Sequence, residues 1–229
     1  MLCSSVSSIP WALRNPLVNR ILRFFFAGIR DLVRINQITA HVRNLLPNLL
    51  VEKNDELGVI VDLGANRGDF TRWIRRRKEG LILAFEPHPV AFDYLSAKTR
   101  RSKDIIRLQM AVSNQNQLRD FYVPERSRLD PLGYATSASL IDNKQSVQFS
   151  RVLSLDLSIF FQFLPQVFVL KVDIEGSEAE IWNLIRESSE KIKYLLMEIH
   201  DNINPILRSE INSFISENNL SHRWTANWI

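Results

Sequence analysis

The stretch Val59 to Phe70, V-I-V-D-L-G-A-N-R-G-D-F, restricts what this chain can fold into more than any other. Val59, Ile60 and Val61 lead into Asp62, Gly64 follows, and after Gly68 the apolar residues Phe70, Trp73 and Ile74 recur at helical spacing. The pattern predicts a buried strand, a tight turn and a helix. In α/β proteins such a turn sits at the carboxyl end of a strand, where glycines let a ligand approach the backbone and the next helix offers free N–H groups. A nucleotide-like ligand suits it. The dinucleotide fingerprint places a glycine at the middle of three spaced positions, against a pyrophosphate. Here Asn66 stands there, and Asp62 precedes the first glycine by two residues. A carboxylate beside the turn repels phosphates and favours a cationic ligand, which argues against a nicotinamide oxidoreductase.

With 229 residues, 45% hydrophobic and 24% charged, the chain suits one globular domain plus an extension. Its only cysteine, Cys3, excludes a disulfide framework or a thiolate metal cluster and points to a reducing compartment, the cytoplasm. The longest run without a charged residue, Leu157 to Leu170, is too short to span a membrane and contains Pro165. The net charge of +4 is uneven: residues 1–58 hold seven basic and four acidic side chains, so the remainder is almost neutral. No nucleic-acid partner is expected from so weak a basic field. Arg75, Arg76, Arg77 and Lys78 close the first core helix, where the helix dipole and solvation explain them.

Residues 1–55 read as a helical extension and residues 56–229 as the catalytic domain. Asn15 and Pro16 suit a helix start, after which Arg20, Arg23, Arg30 and Arg34 share one sector opposite Leu17, Ile21, Phe24 and Ile29. This basic amphipathic segment, residues 14–34, suits peripheral contact with an anionic membrane or a targeting role. Packing against the domain with the arginines outward is the preferred expectation.

Beyond the turn, Leu81 to Phe85 reads as a second strand ending at Glu86-Pro87-His88-Pro89. Rossmann-like folds place there the carboxylate that accepts from ribose hydroxyls, a role that fits Glu86; His88 reads as a loop residue nearby. Ile105 to Val112 reads as a third strand. Phe121 to Val123 and Val147 to Val152 read as further strands, and the polar stretch between them, with Pro131, Gly133, Thr136, Ser137, Ala138 and Ser139, as a lid, an acceptor loop or a mere connection. Val167 to Val172 is a buried strand running into Asp173, Glu175 and Glu178, followed by a helix with Ile181, Trp182 and Ile185 on one face. Tyr194 to His200 is another strand, with Glu198 and His200 on one side, and Asn204-Pro205 starts a helix bearing Leu207, Ile211, Phe214 and Ile215.

The order D-x-G-x-N-x-G resembles motif I of S-adenosylmethionine methyltransferases. Together, D-L-G-A-N-R-G-D-F-T, A-F-E-P-H-P, L-K-V-D-I-E-G-S-E and M-E-I-H resemble the FkbM family of these enzymes over about residues 59–200. The match takes in Ala111-Val112-Ser113 and Leu155-Asp156. The resemblance implies a class I methyltransferase fold, an α/β, doubly wound, mostly parallel sheet with helices on both faces. It implies S-adenosylmethionine held by Asp62, Gly64, Asn66, Gly68 and Glu86, with Ala65, Pro87 and Ala111 beside them. It also implies O-methylation of a sugar, glycan or other hydroxylated metabolite; the alternative is an inert module that binds the cofactor without turnover. Because the chain stops at Ile229, the closing antiparallel strand pair of that fold is expected to be shortened, with one strand at most from Arg223 to Ile229.

A hydroxyl acceptor must lose its proton, and the strands ending at Asp173 and Glu198 are neighbours in this fold. His200, Asp173, Glu175 and Glu198 are therefore the catalytic candidates, His200 being the simplest general base because an unperturbed imidazole titrates near neutrality. Lys171 reads as the charge partner of Asp173 and Glu175. Two carboxylates two residues apart do not define a Mg²⁺ site, and no metal is assigned.

Overall fold

The computed structural model describes residues 33, 35–52, 58–124, 138–142, 146–164, 166–200, 203 and 205–226. The strands, in chain order, are β1 Val59–Leu63, β2 Ile82–Phe85, β3 Ile105–Leu108, β4 Ala111–Ser113, β5 Gln117–Pro124, β6 Ser146–Asp156, β7 Val167–Val172, β8 Ile192–Met197 and β9 Trp224–Thr225. The helices are α1, residues 35–45, then α2 Pro47–Val51, α3 Asp69–Arg75, α4 Pro89–Thr99, α5 Leu157–Phe163, α6 Glu178–Glu187 and α7 Leu207–Glu217.

The main sheet has the order β3-β2-β1-β7-β8-β9, and every pairing in it is parallel. All five residues of β1 and all six of β7 are buried. Neighbours on both edges and helices on both faces leave no side for water, hence the unbroken apolar runs. Alternation along β1 sends Val59, Val61 and Leu63 to one face, where they pack with Phe161 of α5, Ile181 and Trp182 of α6, and Ile211 of α7. Ile60 goes to the other, with Phe70 and Trp73 of α3 and Leu95 of α4. The expected doubly wound architecture is present. Strand order reverses between β1 and β7, and the crevice at their carboxyl ends is where such sheets bind ligands.

The described part of the extension belongs to this core. Ile38, Val42, Leu46 and Leu49 are buried against Ile60, Phe70, Trp73, Phe168 and Tyr194, and Trp73 Nε1 donates to Thr39 Oγ1 at 2.9 Å. Lys78, expected at a solvated helix end, is buried and donates to the carbonyl of Glu52. Apart from Val33, the basic segment 14–34 lies outside the described residues, as do residues 131–137 of the polar stretch.

Two strand expectations change. Ile105 to Val112 is not one strand: β3 edges the main sheet beside β2, whereas β4 crosses to a second sheet of order β4-β6-β5. There Ala111, Phe121, Leu140 and Val152 form their own small core. At the other edge, β9 runs parallel to β8 rather than antiparallel. Helix α7 ends with Asn219 at φ 55, Leu220 N bonding to Ile215 O and Asn219 N to Ser216 O, a tight left-handed stop. Only Leu220 to Arg223 remain before Trp224, too few to return antiparallel. No helix among the described residues is long and apolar enough to cross a membrane.

Candidate functional site

The carboxyl ends of β1, β2, β7 and β8 converge on the crevice. Gly64 leaves β1 at φ +74, and a Cβ there would lie 1.8 Å from the carbonyl oxygen of Asp173, so only glycine lets the two loops touch. Asn66 also takes a left-handed turn, φ 49, a conformation that asparagine tolerates better than most residues. Gly68, φ +80, caps α3, where a Cβ would meet Leu95.

One cavity lies over this turn. Gly64, Asn66, Glu86 and Pro87 line one side, Phe85, Met110, Ala111, Val112, Phe121 and Leu140 give it an apolar wall, and Asp173, Ile174, Glu175 and Ser177 close the other side. Glu86 is 5% exposed and accepts from the backbone N–H of Asn66 at 2.7 Å and of His88 at 2.8 Å. Burial pushes its carboxyl up to about 7 against those two hydrogen bonds. His88 is buried and caps α4.

A second cavity lies beside the first. It is lined by Gln37, Ile38 and His41 of α1, by Ala65, Arg67, Asp69 and Phe70, and by Lys171 and Glu198. Gly64, Asn66, Asp173 and Glu175 line both cavities and form their shared wall.

Asp62 lines neither. It is fully buried, accepts from Thr71 Oγ1 at 2.5 Å and pairs with Lys171 Nζ at 3.4 Å. Burial pushes its carboxyl up, against Lys171 and Thr71. Lys171 also contacts Asp173 at 3.1 Å and donates to the carbonyl of Gly64 at 2.7 Å. Burial works against the ammonium, but Asp173 and Asp62 outweigh it and hold its pKa above the ordinary lysine value. The expected pairing of Lys171 with Glu175 is replaced by pairing with Asp62, because Glu175 turns to His200.

His200 is ringed by acids: Nδ1 lies 3.0 Å from Glu178 Oε1, and Nε2 lies 3.2 Å from Glu175 Oε2 and 3.9 Å from Glu198 Oε1. Burial lowers the imidazole, yet its bonds to Glu175 and Glu178 prevail and raise it to about 11. Glu198 is raised to about 7 by burial and by Asp173. Burial likewise raises Glu175, whose backbone sits at φ 55, an uncommon conformation for a residue with a Cβ. Asp173, Glu175 and His200 each present one ligand atom within 4.8 Å of the others, a spacing that would admit a divalent cation.

The structure thus brings Asp173, Glu175, Glu198 and His200 together, as expected. It adds Glu178, 1% exposed, whose Oε1 also accepts from the N–H groups of Ile174 and Gly176. Its place three residues after Glu175 in E-G-S-E was the available signal. The contribution of α1 had no motif to announce it.

Comparison with known proteins identifies a family. The Methyltransferase FkbM domain matches residues 62–219. The hexuronic acid methyltransferase AglP of Haloferax volcanii is 24% identical over 215 residues, which is 92% of this chain and 84% of that protein. The crystal structure of a Methyltransferase FkbM from Methylobacillus flagellatus is similar at 17% identity and a TM-score of 0.44, covering 71% of this chain but 37% of that one. The domain match takes in the crevice from Asp62 to His200 and more than half of the sequence, and on that ground the chain belongs to the FkbM methyltransferase family.

Proposed function

We propose that the protein transfers the methyl group of S-adenosylmethionine to a hydroxyl of an acidic sugar or a glycan that contains one. The observation that carries this reading is the meeting of two cavities across Gly64, Asn66, Asp173 and Glu175. One suits a nucleoside, and the other is bordered by the carboxylates of Asp173, Glu175 and Glu198. The acceptor class is supported by the family and by the named activity of the similar Haloferax volcanii protein.

The donor set fits the cofactor. Glu86 offers a buried carboxylate for the ribose diol, and the wall of Phe85, Met110, Ala111, Val112 and Leu140 suits adenine. Asn66 Oδ1 is buried without a hydrogen-bond partner among the described residues, an acceptor available to the ammonium of the amino-acid end. The surplus of carboxylates around Asp173 favours a cationic ligand. Asp62 acts from behind, holding Lys171 and through it the Gly64 carbonyl.

When bound, S-adenosylmethionine supplies an electrophilic methyl on a sulfonium whose leaving thioether needs no proton. The chain must therefore align the hydroxyl and take its proton as the new C–O bond forms. We assign that proton to Glu198. It lines the acceptor cavity, and a carboxylate that titrates near neutrality is a stronger base than an ordinary one. His200, expected to be the base, has both ring nitrogens against carboxylates and is an imidazolium at neutral pH, with no lone pair to give. Its role is to hold Glu175, Glu178 and Glu198 together.

The test is incubation of the purified chain with methyl-labelled S-adenosylmethionine and a uronate-containing glycan extract. Label should appear on a sugar oxygen together with S-adenosylhomocysteine. Tight binding of the cofactor without transfer to any component would instead identify an inert binding module.

A further inference from the structure

Among the charged side chains that line the second cavity, Arg67 differs from its neighbours. It is half-buried, its Nε is shut off from solvent and bonds to nothing, and among the described residues its guanidinium has no hydrogen-bond or ion-pair partner. Its charged neighbours on the cavity wall are engaged: Asp69 with Lys98 at 3.3 Å, Asp173 with Lys171 at 3.1 Å, and Glu175 with His200 at 3.2 Å. Glu198 stands 3.9 Å from His200. Burying part of a cation without a counter-charge costs stability unless a ligand completes it. The planar fork of a guanidinium matches one anion geometry best, the two coplanar oxygens of a carboxylate.

We propose that Arg67 binds the carboxylate of a ligand in the second cavity. The inference rests on the proposed function, which names two molecules bearing that group: an acidic acceptor sugar and the amino-acid end of the cofactor. With an acidic sugar, the arrangement orients the substrate. An acid anchored on Arg67 leaves the ring hydroxyls free to reach Glu198, which lines the same cavity. Helix α1, through Gln37, Ile38 and His41, supplies the facing wall.

The experiment compares the full chain with R67Q and R67K. Calorimetry measures S-adenosylhomocysteine binding, and ligand-observed NMR measures D-glucuronate against D-glucose. Loss of a charge-assisted hydrogen bond weakens binding about 10- to 150-fold. If the acceptor supplies the carboxylate, R67Q loses glucuronate by that factor and keeps S-adenosylhomocysteine; if the cofactor supplies it, the reverse holds. R67K recovers part of either loss. The melting temperature of ligand-free R67Q should equal or exceed that of wild type, since an unpaired cation has been removed; a fall of several degrees would assign Arg67 a structural role and overturn the proposal. Equal S-adenosylhomocysteine affinity in wild type and R67Q, with no glucuronate preference lost, overturns it too. Failure of wild type to bind S-adenosylhomocysteine counts instead against the proposed function, and the sugars alone then decide on Arg67.

Discussion

The Nδ1 of His200 stands 3.0 Å from the Oε1 of Glu178, a carboxylate almost wholly shut off from water. His200→Ala leaves that acid with two backbone donors and no counter-charge, and should cost about 1.5–3 kcal/mol. The pH dependence gives the sharper check. Because the folded protein raises this imidazole from 6.5 to about 11, its contribution is complete below 6.5 and drains away as pH climbs toward 11. Denaturant unfolding at pH 6 and pH 9.5 should show wild type losing more stability than the variant; equal losses would refute the assignment.

Glu198→Gln keeps the size of the side chain and removes its basicity. Turnover should fall about 10²–10⁴-fold while S-adenosylhomocysteine affinity holds, as expected of a group that acts only on the acceptor proton. Complete loss of wild-type activity in chelator, restored by Mg²⁺, would transfer proton handling to a cation at Asp173, Glu175 and His200.

Glu86 must be ionised to accept from two hydroxyls. With its carboxyl raised to about 7 in the ligand-free protein, S-adenosylhomocysteine should bind about tenfold more weakly at pH 6 than at pH 8. Calorimetry on Glu86→Gln should show weaker binding with little pH dependence. A variant whose pH profile matches wild type would remove Glu86 from the ribose.

Leu46, between α1 and α2, is fully buried. Leu46→Ala should destabilise the whole domain by about 2–5 kcal/mol if this segment is part of the core, as the packing indicates. Thermal melts measure it, and a change below about 0.5 kcal/mol would make the segment a detachable arm.

Much of this was legible from periodicity and punctuation. Buried parallel strands write themselves as apolar runs, and Gly64, Asn66 and Gly68 mark a turn that needs left-handed backbone at three positions. What stayed hidden depends on direction and partnership. Asp62 belongs to the β1 face opposite Leu63, so it meets Thr71 and Lys171 rather than either cavity. Spacing pairs Lys171 with Asp173 but not with Asp62, which is more than a hundred residues away in sequence. His200 looked like a base because an isolated imidazole is one; Glu175 and Glu178, brought beside it from the segment after β7, reverse that. The break between β3 and β4 falls inside one apolar stretch, and only pairing to β6 distinguishes the halves.

The partition between the two cavities has a kinetic consequence. If the acceptor rather than the cofactor holds Arg67, donor and acceptor occupy separate cavities that share one wall, so neither has to pass through the other's space. Addition should then be random: double-reciprocal plots should intersect, and S-adenosylhomocysteine should compete with the donor yet inhibit non-competitively against the acceptor. The methylated sugar should show the mirror-image pattern. A strictly ordered sequence would mean that one ligand builds the other's site, and helix α1, which lines the second cavity and not the first, would be the first segment to examine for movement.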